Sequence, residues 1–333
     1  MIENKQVDLK ELEKFGSVEN LNEQSITIVE HQKKNWQLAK KNFDALNSIQ
    51  TKTFDFGHFH IQTQFNSERI KSSAAKTDAK SIAKRPCFLC LDNLPEEQSG
   101  LVFLNKYLIL ANPYPIFPVH LTISHKDHFK QEIKKYFGDM LELGKALSDF
   151  TVFYNGPKTG ASAPDHFHFQ AIIKNSLPIE NEFENLEKHH SETLFQKDKT
   201  RILAVENYFR NFVNIVSDNK NEIEKIFHII CRALSDEPNN EPMLNILCTF
   251  EINLWRVIVF PRSKQRPSIF FSNDDRQILT SPASVEMGGI LVLPREEDFK
   301  KITKKEIEEI YKEVSFDKRN FKKLVLTLKN VLK

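Results

Sequence analysis

Short runs of alternating polar and apolar residues fall in two separated series along this chain, each accompanied by a stretch of helical periodicity. That pattern restricts the fold to antiparallel sheet carrying packed helices. In the first series, Phe54-x-Phe56 and Phe59-x-Ile61-x-Thr63-x-Phe65 alternate as a half-buried strand pair does. Tyr107 to Ala111 and His120 to Ser124 read as two more strands, separated by Asn112-Pro113-Tyr114-Pro115, whose prolines force a break. Phe129, Ile133, Phe137, Met140 and Leu141 recur at helical spacing and predict an amphipathic helix to about Phe150, with a strand over Thr151 to Tyr154. The second series has a helix marked by Ile223, Ile226, Phe227, Ile230 and Leu234. Strands follow over Leu244 to Phe250, Leu254 to Phe260 and Gly289 to Leu293, then a helix marked by Ile307, Ile310, Tyr311 and Val314. Strand, strand and helix recur in both halves, without the sequence similarity that would establish a repeat by itself. The expectation is an α+β body of two similar lobes.

The remaining segments set the boundaries. Residues 8 to 50 are charged and helix-favouring, with no proline, and predict an N-terminal helical arm. The division expected is therefore 1–50 for the arm, 51–178 for the first lobe and 179–333 for the second. Residues 66 to 86 carry Arg69, Lys71, Lys76, Lys80, Lys84 and Arg85 without apolar periodicity, which fits an exposed connection or a phosphate-facing loop. A charged stretch around residues 180 to 200 separates the two series. With 27 Phe against 9 Gly, the chain has ample apolar surface to offset chain entropy and form an ordered core. Its 47 basic and 45 acidic residues nearly cancel, so the basic stripe of a nucleic-acid-binding protein is missing. No run approaches the roughly 20 apolar residues that span a bilayer, and the N-terminus is polar, so a cytoplasmic protein is expected. Nothing in the sequence specifies an oligomeric state.

Chemistry concentrates around His166-Phe167-His168-Phe169-Gln170. On a strand, His166, His168 and Gln170 project from one side while the two phenylalanines anchor the other. Just upstream, Asn155-Gly156-Pro157-Lys158-Thr159-Gly160-Ala161-Ser162-Ala163-Pro164 supplies glycines, backbone donors, a hydroxyl and a lysine, a composition suited to phosphate oxygens. It is not the Walker pattern. A bare His-x-His is more often an exposed strand with incidental histidines; the loop and the glutamine reverse that preference here. Cys87-x-x-Cys90 has the spacing of a metal or redox pair, or of two buried, metal-free cysteines, whereas Cys231 and Cys248 read as core.

This segment resembles the His-x-His-x-Gln motif and Gly-x-Ser loop of galactose-1-phosphate uridylyltransferase, diadenosine tetraphosphate phosphorylase and GDP-L-galactose phosphorylase, the transferase branch of the histidine triad superfamily. The Cys87-Phe88-Leu89-Cys90 pair, Ser124-His125-Lys126-Asp127-His128, Trp255 to Arg262, and Ser281-Pro282 through Gly288-Gly289-Ile290 extend the resemblance over roughly residues 54 to 300. Asp165, between Pro164 and His166, departs from the uridylyltransferase spacing.

The resemblance implies tandem histidine-triad-like lobes with the working site in the first. It makes His168 the nucleophile, forming a nucleotidyl-histidine from a nucleotide-sugar or dinucleoside polyphosphate. Inorganic phosphate or a sugar 1-phosphate would then be the acceptor. A neutral imidazole, with an ordinary pKa near ~6.5, is available for that attack. His166 and Gln170 complete the catalytic set, with Asn155, Lys158, Gly160, Ser162 and Arg69 as substrate or phosphate contacts. The amides of residues 160 to 162 would add donors to the developing oxyanion. Hydrolases of the superfamily carry a third histidine where this chain has Gln170, and an amide cannot shuttle a proton to activate water. By the same resemblance, a structural zinc would take Cys87, Cys90, His128 and His166, with His125 as a substitute ligand or a surface residue. Arg256, Arg262, Lys264 and Arg266 are further phosphate candidates, or solvated surface charges. Trp255 reads as core, and His58, His60, His189, His190 and His228 are assigned no function. The rival readings are a nucleotide pyrophosphatase and a non-catalytic, zinc-stabilised nucleotide-binding protein.

Overall fold

The computed structural model describes residues 2–70, 78–235 and 240–332; Lys71 and Lys76 of the polar connection lie outside them. Among the described residues, thirteen strands form two sheets. In the smaller, β1 (Gln50–Asp55) and β2 (His60–Phe65) make the antiparallel hairpin that the alternating phenylalanines predict. The far-distant β13 (Ile290–Leu293) joins it in parallel, closing a three-stranded sheet. The larger, ten-stranded sheet contains β3 (Gly100–Phe103), β4 (Tyr107–Ala111), β5 (His120–His125), β6 (Phe150–Asn155) and β7 (His168–Ile173) from the first half. Its second half is built from β8 (Ser191–Lys197), β9 (Thr200–Val205), β10 (Phe212–Ser217), β11 (Leu244–Glu251) and β12 (Leu254–Pro261). The spatial order is β3-β4-β5-β7-β6-β11-β12-β10-β9-β8, and every neighbouring pair is antiparallel.

Read inward from either edge, both halves have one connectivity. Three strands follow in chain order, the fifth is inserted next, and the fourth lies at the centre. A helix, Phe137–Ala146 in one half and Lys220–Leu234 in the other, links the third strand to the fourth. The halves join where the fourth strands, β6 and β11, pair with each other. The chain is thus two tandem α+β lobes sharing a single sheet.

Both sheet faces are covered. On one, helices Leu21–Asn35, Gln37–Asp44, Phe137–Ala146, Lys220–Leu234 and Lys318–Val331 bury a core that takes Phe167, Phe169 and Ala171 from the motif region. On the other lie the small sheet and helices Pro178–His190 and Lys304–Val314, over a second core that takes Phe153 and Ile172. The alternation of the motif strand therefore turns His168 and Gln170 toward the second layer while its phenylalanines hold the first. Among the described residues no helix is long and apolar enough to cross a membrane.

Several elements differ from the expectations. The N-terminal stretch is helical, and Ile28, Val29, Trp36, Ala39 and Phe43 are buried in the first core, which makes it a layer of the body. The helix expected from Phe129 covers Phe137–Ala146 alone. Upstream of it, the carbonyl of Phe129 accepts from the Phe167 amide and the Gln131 amide donates to the Pro164 carbonyl, so these backbone groups pair with the motif loop and cannot continue a helix. Phe150 opens β6. The charged stretch near 180 to 200 holds the helix Pro178–His190, started by proline in its first turn, and edge strand β8. Strands β9 and β10 and the helix Lys318–Val331 were not anticipated. If the N-terminal helices are a core layer, Ile28→Ala should lower unfolding free energy by about 2–5 kcal/mol in urea titration; an unmoved midpoint would mean that they are a detached arm.

Candidate active site

His168 opens β7 and lines a cavity of about 660 Å³. Its Nδ1–H donates to the carbonyl of His166 at 2.8 Å, so the free lone pair belongs to Nε2, which makes no hydrogen bond among the described residues. Burial holds the ring's pKa down to about 4, which keeps the imidazole neutral at pH 7. Its backbone is gripped on both sides by one fully buried side chain. Gln131 Oε1 accepts from the His168 amide at 2.8 Å, while Gln131 Nε2 donates to the carbonyls of His168 at 2.8 Å and Asn155 at 3.0 Å. The start of β7 and the end of β6 are thereby fixed to one another. Sequence reasoning overlooked Gln131, because the apolar period running from Phe129 to Leu141 concealed it.

Gln170 stands two residues along the same face and lines the same cavity. Its Oε1 lies 2.9 Å from Nε2 of His120, a wholly buried ring whose Nδ1 accepts from the Ile116 amide at 3.1 Å. His120 sits where the proline-rich loop rejoins the sheet. Asn42 Nδ2 donates to the carbonyl of Pro113 at 2.6 Å, Arg69 to that of Tyr114 at 2.6 Å, Asn66 to that of Pro115 at 3.2 Å and Gln64 to that of Ile116 at 3.4 Å. The Tyr114 amide donates to Asn112 Oδ1 at 2.9 Å. This loop supplies Asn112, Pro113, Tyr114 and Ile116 to the cavity wall.

The glycine-serine loop contributes Asn155, Gly160 and Ser162 to the wall; Lys158 is exposed and is not among the lining residues. The Ala161 amide is turned back onto the Gly156 carbonyl and so is not a donor to the cavity. Gly160 has φ +107°, and a Cβ there would meet Ala283 Cβ at 2.4 Å, so the two lobes could not approach with any other residue in place. Across that contact the second lobe adds Ser281, Ala283, Val285 and Glu286 to the cavity. Asn155 ties the lobes together, its Oδ1 accepting from Asn245 Nδ2 at 3.0 Å and from the Ser284 amide at 2.8 Å.

Two guanidinium groups reach the cavity with donors to spare. Arg69 leaves Nε, and Arg85 leaves its Nη1, buried without a partner among the described residues. Burial lowers Arg69 to a pKa of about 10, which still leaves it charged at neutral pH. Arg85 also donates to the Ser162 carbonyl and to Asp165, both at 3.3 Å, which ties Asp165 to the loop. Only the polar composition of residues 66 to 86 signalled Arg85. Arg262, by contrast, is buried with its donors on the carbonyls of Val314, Pro282 and Lys264 and on Asn245, so it pins the second-lobe wall and is not available to a ligand. Arg256 lies over the Phe183 ring at 3.7 Å, outside this cavity.

His166 does not line the cavity. It turns to the cysteine pair, with Nδ1 at 3.4 Å from Cys87 Sγ and 3.6 Å from Cys90 Sγ, while its Nε2–H donates to the His125 carbonyl at 2.7 Å. His128 Nδ1 is 3.2 Å from Cys90 Sγ. The four ligand atoms all lie within 4.8 Å of one another. His125 stays outside the group, its Nδ1 accepting from the Asp127 amide and its ring packed against Tyr107 and Phe129.

Residues 28–173 match the family model described as "Domain of unknown function (DUF4922)", and residues 185–333 match that of the "GDPGP1-like, C-terminal domain". No curated protein sequence matches the chain significantly. Among solved structures, yeast Ap4A phosphorylase Apa2 is 17% identical with a TM-score of 0.56, over 90% of this chain and 99% of that one. The same yeast enzyme in complex with Ap4A gives 17% identity and a TM-score of 0.57, over 87% and 97% of the respective chains. Its complex with AMP gives 16% and 0.55, over 90% and 98%. At these identities the likeness is one of fold.

Gln131→Leu would orphan the His168 amide and two buried carbonyls in a side chain of similar size. Urea unfolding should show a loss of about 3 kcal/mol or more, with Gln131→Glu intermediate because it retains the acceptor. Equal stability of all three proteins would show that the clamp carries no energetic weight.

Proposed function

We propose that the chain is a nucleotidyltransferase of the phosphorylase or uridylyltransferase type within the histidine triad superfamily, working through a nucleotidyl group on His168; the match to the GDPGP1-like C-terminal domain and the fold shared with yeast Ap4A phosphorylase support this reading. The observation that carries this reading is the neutral His168 ring, its Nδ1–H committed to the His166 carbonyl and its Nε2 at the cavity beside Gln170.

In the first step the Nε2 lone pair forms a bond to the α-phosphorus of a nucleotide-sugar or dinucleoside polyphosphate. The bond from that phosphorus to the bridging oxygen breaks, and the sugar 1-phosphate or nucleoside polyphosphate leaves with the electron pair. The imidazole becomes cationic, and its retained Nδ1–H is stabilised by the His166 carbonyl. In the second step an oxygen of inorganic phosphate or a sugar 1-phosphate bonds to the phosphorus, the P–N bond breaks, and the lone pair returns to His168. Charge on the non-bridging oxygens is met by Gln170, Ser162 and the loop at Gly160, with Arg69 and Arg85 neutralising the phosphates and Asn155 holding the loop. Lys158, exposed at the loop, is left out of these contacts. The presence of an amide at position 170 supports transfer over hydrolysis, because it donates a hydrogen bond and moves no proton. On this reading residues 51–178 carry the chemistry and residues 179–333 close the cavity. The structures of yeast Ap4A phosphorylase with AMP and with Ap4A support a nucleotide as the substrate class.

Cys87, Cys90, His128 and His166 suit a zinc ion. With Zn–S near ~2.3 Å and Zn–N near ~2.0 Å, tetrahedral ligands stand about 3.5 Å apart, and three of the sulfur–nitrogen separations here are 3.2, 3.4 and 3.6 Å, with all four ligand atoms within 4.8 Å of one another. The Nε2–H of His166 on a backbone carbonyl leaves Nδ1 as its ligating atom. Burial and the adjacent Cys87 push the Cys90 thiol up to about 11, so a cation is needed to hold Cys90 as a thiolate at neutral pH. Such an ion would brace the turn that leads into His168.

Incubation with labelled GDP-hexose, UDP-hexose and Ap4A should leave acid-labile label on wild-type protein and none on His168→Ala. A nucleoside diphosphate should form only when phosphate is present. Label retained in His168→Ala would sink the covalent mechanism, and nucleoside monophosphate released without phosphate would favour a pyrophosphatase. Intact nucleotide recovered from a tight, unreactive complex would favour a binding protein. Elemental analysis of protein purified without added metal should find zinc that is lost in Cys87→Ser, with stability falling by about 4 kcal/mol or more on chelation. Zinc content unchanged by that substitution would exclude the cluster as its site.

A further inference from the structure

The nucleotidyl-histidine reading places a neutral amide, Gln170, against the reacting phosphate. An amide presents either a donor or an acceptor end, and an acceptor end would repel developing negative charge. We propose that His120 is the positioning residue that fixes which end of Gln170 faces the cavity, and this inference rests on that reading.

One buried ring has a single possible placement of its proton. The Ile116 amide donates to Nδ1 of His120 at 3.1 Å, and an N–H cannot face a protonated nitrogen. Nδ1 therefore carries the lone pair. Burial, followed by the charge of Arg69, pushes the ring's pKa down to about 3, so it is neutral and its one proton resides on Nε2. That Nε2–H, 2.9 Å from Gln170, requires an oxygen opposite it, so Oε1 must point at His120 and the NH₂ group away from it. Turning the amide over would bring N–H against N–H. The sheet register holds the pair in place. His120 pairs with Ile172 and Thr122 with Gln170 on neighbouring antiparallel strands, which makes His120 and Gln170 diagonal neighbours on one face. The Ile116 amide is itself fixed, because the carbonyl of Ile116 is held by Gln64 and that of Pro115 by Asn66. Orientation thus passes from the rigid loop, through one imidazole tautomer, to the amide that lines the cavity beside His168.

Two substitutions separate this role from a merely structural one. His120→Asn keeps an acceptor near the Nδ1 position for Ile116 and removes the donor to Gln170. His120→Gln keeps a donor near the Nε2 position. Single-turnover labelling of His168 from Ap4A and GDP-hexose should slow by about tenfold or more in His120→Asn. Affinity for AMP and GMP should change little, and His120→Gln should recover most of the rate. The His120→Asn/Gln170→Ala double variant should be no slower than Gln170→Ala, because both act through one amide. Equal impairment in both His120 variants, or additive losses in the double variant, would overturn the proposal. Should His120→Asn fail to fold, nitrogen-15 NMR of the wild-type imidazoles decides instead: a neutral Nε2–H tautomer supports the proposal, and a protonated Nδ1 rejects it. Wild-type protein that takes no label at all would reject the reaction and this role with it, whereas labelled wild-type with an unaffected His120→Asn variant rejects the role alone.

Discussion

The segment from Pro113 to Ile116 exposes four successive carbonyls to a protein interior and, because two of its residues are prolines, has only two amides of its own. No sheet ladder could satisfy such a segment, and each carbonyl left without a partner would cost about 1–3 kcal/mol. The four partners come from separate places in the chain: Asn42 from an N-terminal helix, and Gln64, Asn66 and Arg69 from the end of β2 and the turn after it. One wall of the cavity is therefore shaped by segments distant from the motif. The N-terminal helices and the small three-stranded sheet, which carry no motif of their own, are what keep this wall in place.

Much of the architecture was legible because its signal is local. The hairpin of β1 and β2, strands β4, β5, β11 and β12, and the helix Lys220–Leu234 all announce themselves through period-two or helical spacing. The pairing of His168 with Gln170 on one face also follows directly from strand alternation. What stayed hidden is the polar support. Gln131 lies inside an apolar periodicity, and His120 lies at the first position of a strand, where nothing in composition separates a structural imidazole from any other. Their roles depend on partners as far as 37 and 50 positions away in the chain. The segment from Pro178 to Ser217 was hidden for another reason. Edge strand β8 is half exposed and charged, so its alternation is faint. Arg262 shows the opposite error, since a basic residue between two prolines reads as a surface charge, yet the fold spends every donor of its guanidinium on interior groups.

The two lobes share a strand order and not a chemistry. In the first, Ser124 of β5 pairs with His168 of β7; in the second, the corresponding pairing is Ser217 of β10 with Trp255 of β12. Trp255 is buried, and its indole N–H donates to the carbonyl of Leu141 in the first lobe. The same position in the plan thus holds a cavity-lining imidazole in one copy and a packing residue in the other.

The connection between the fourth and fifth strands makes that difference physical. In the first lobe it spans residues 156–167 and wraps a cavity; in the second it is the reversal Ile252-Asn253, both residues in the left-handed region and Ile252 almost fully in solvent. A two-residue reversal has too few amides and too little reach to enclose a phosphate. A polypeptide drawn on a doubled plan consequently carries an enclosing loop in one copy and a bare hairpin in the other, an asymmetry written into the covalent chain itself.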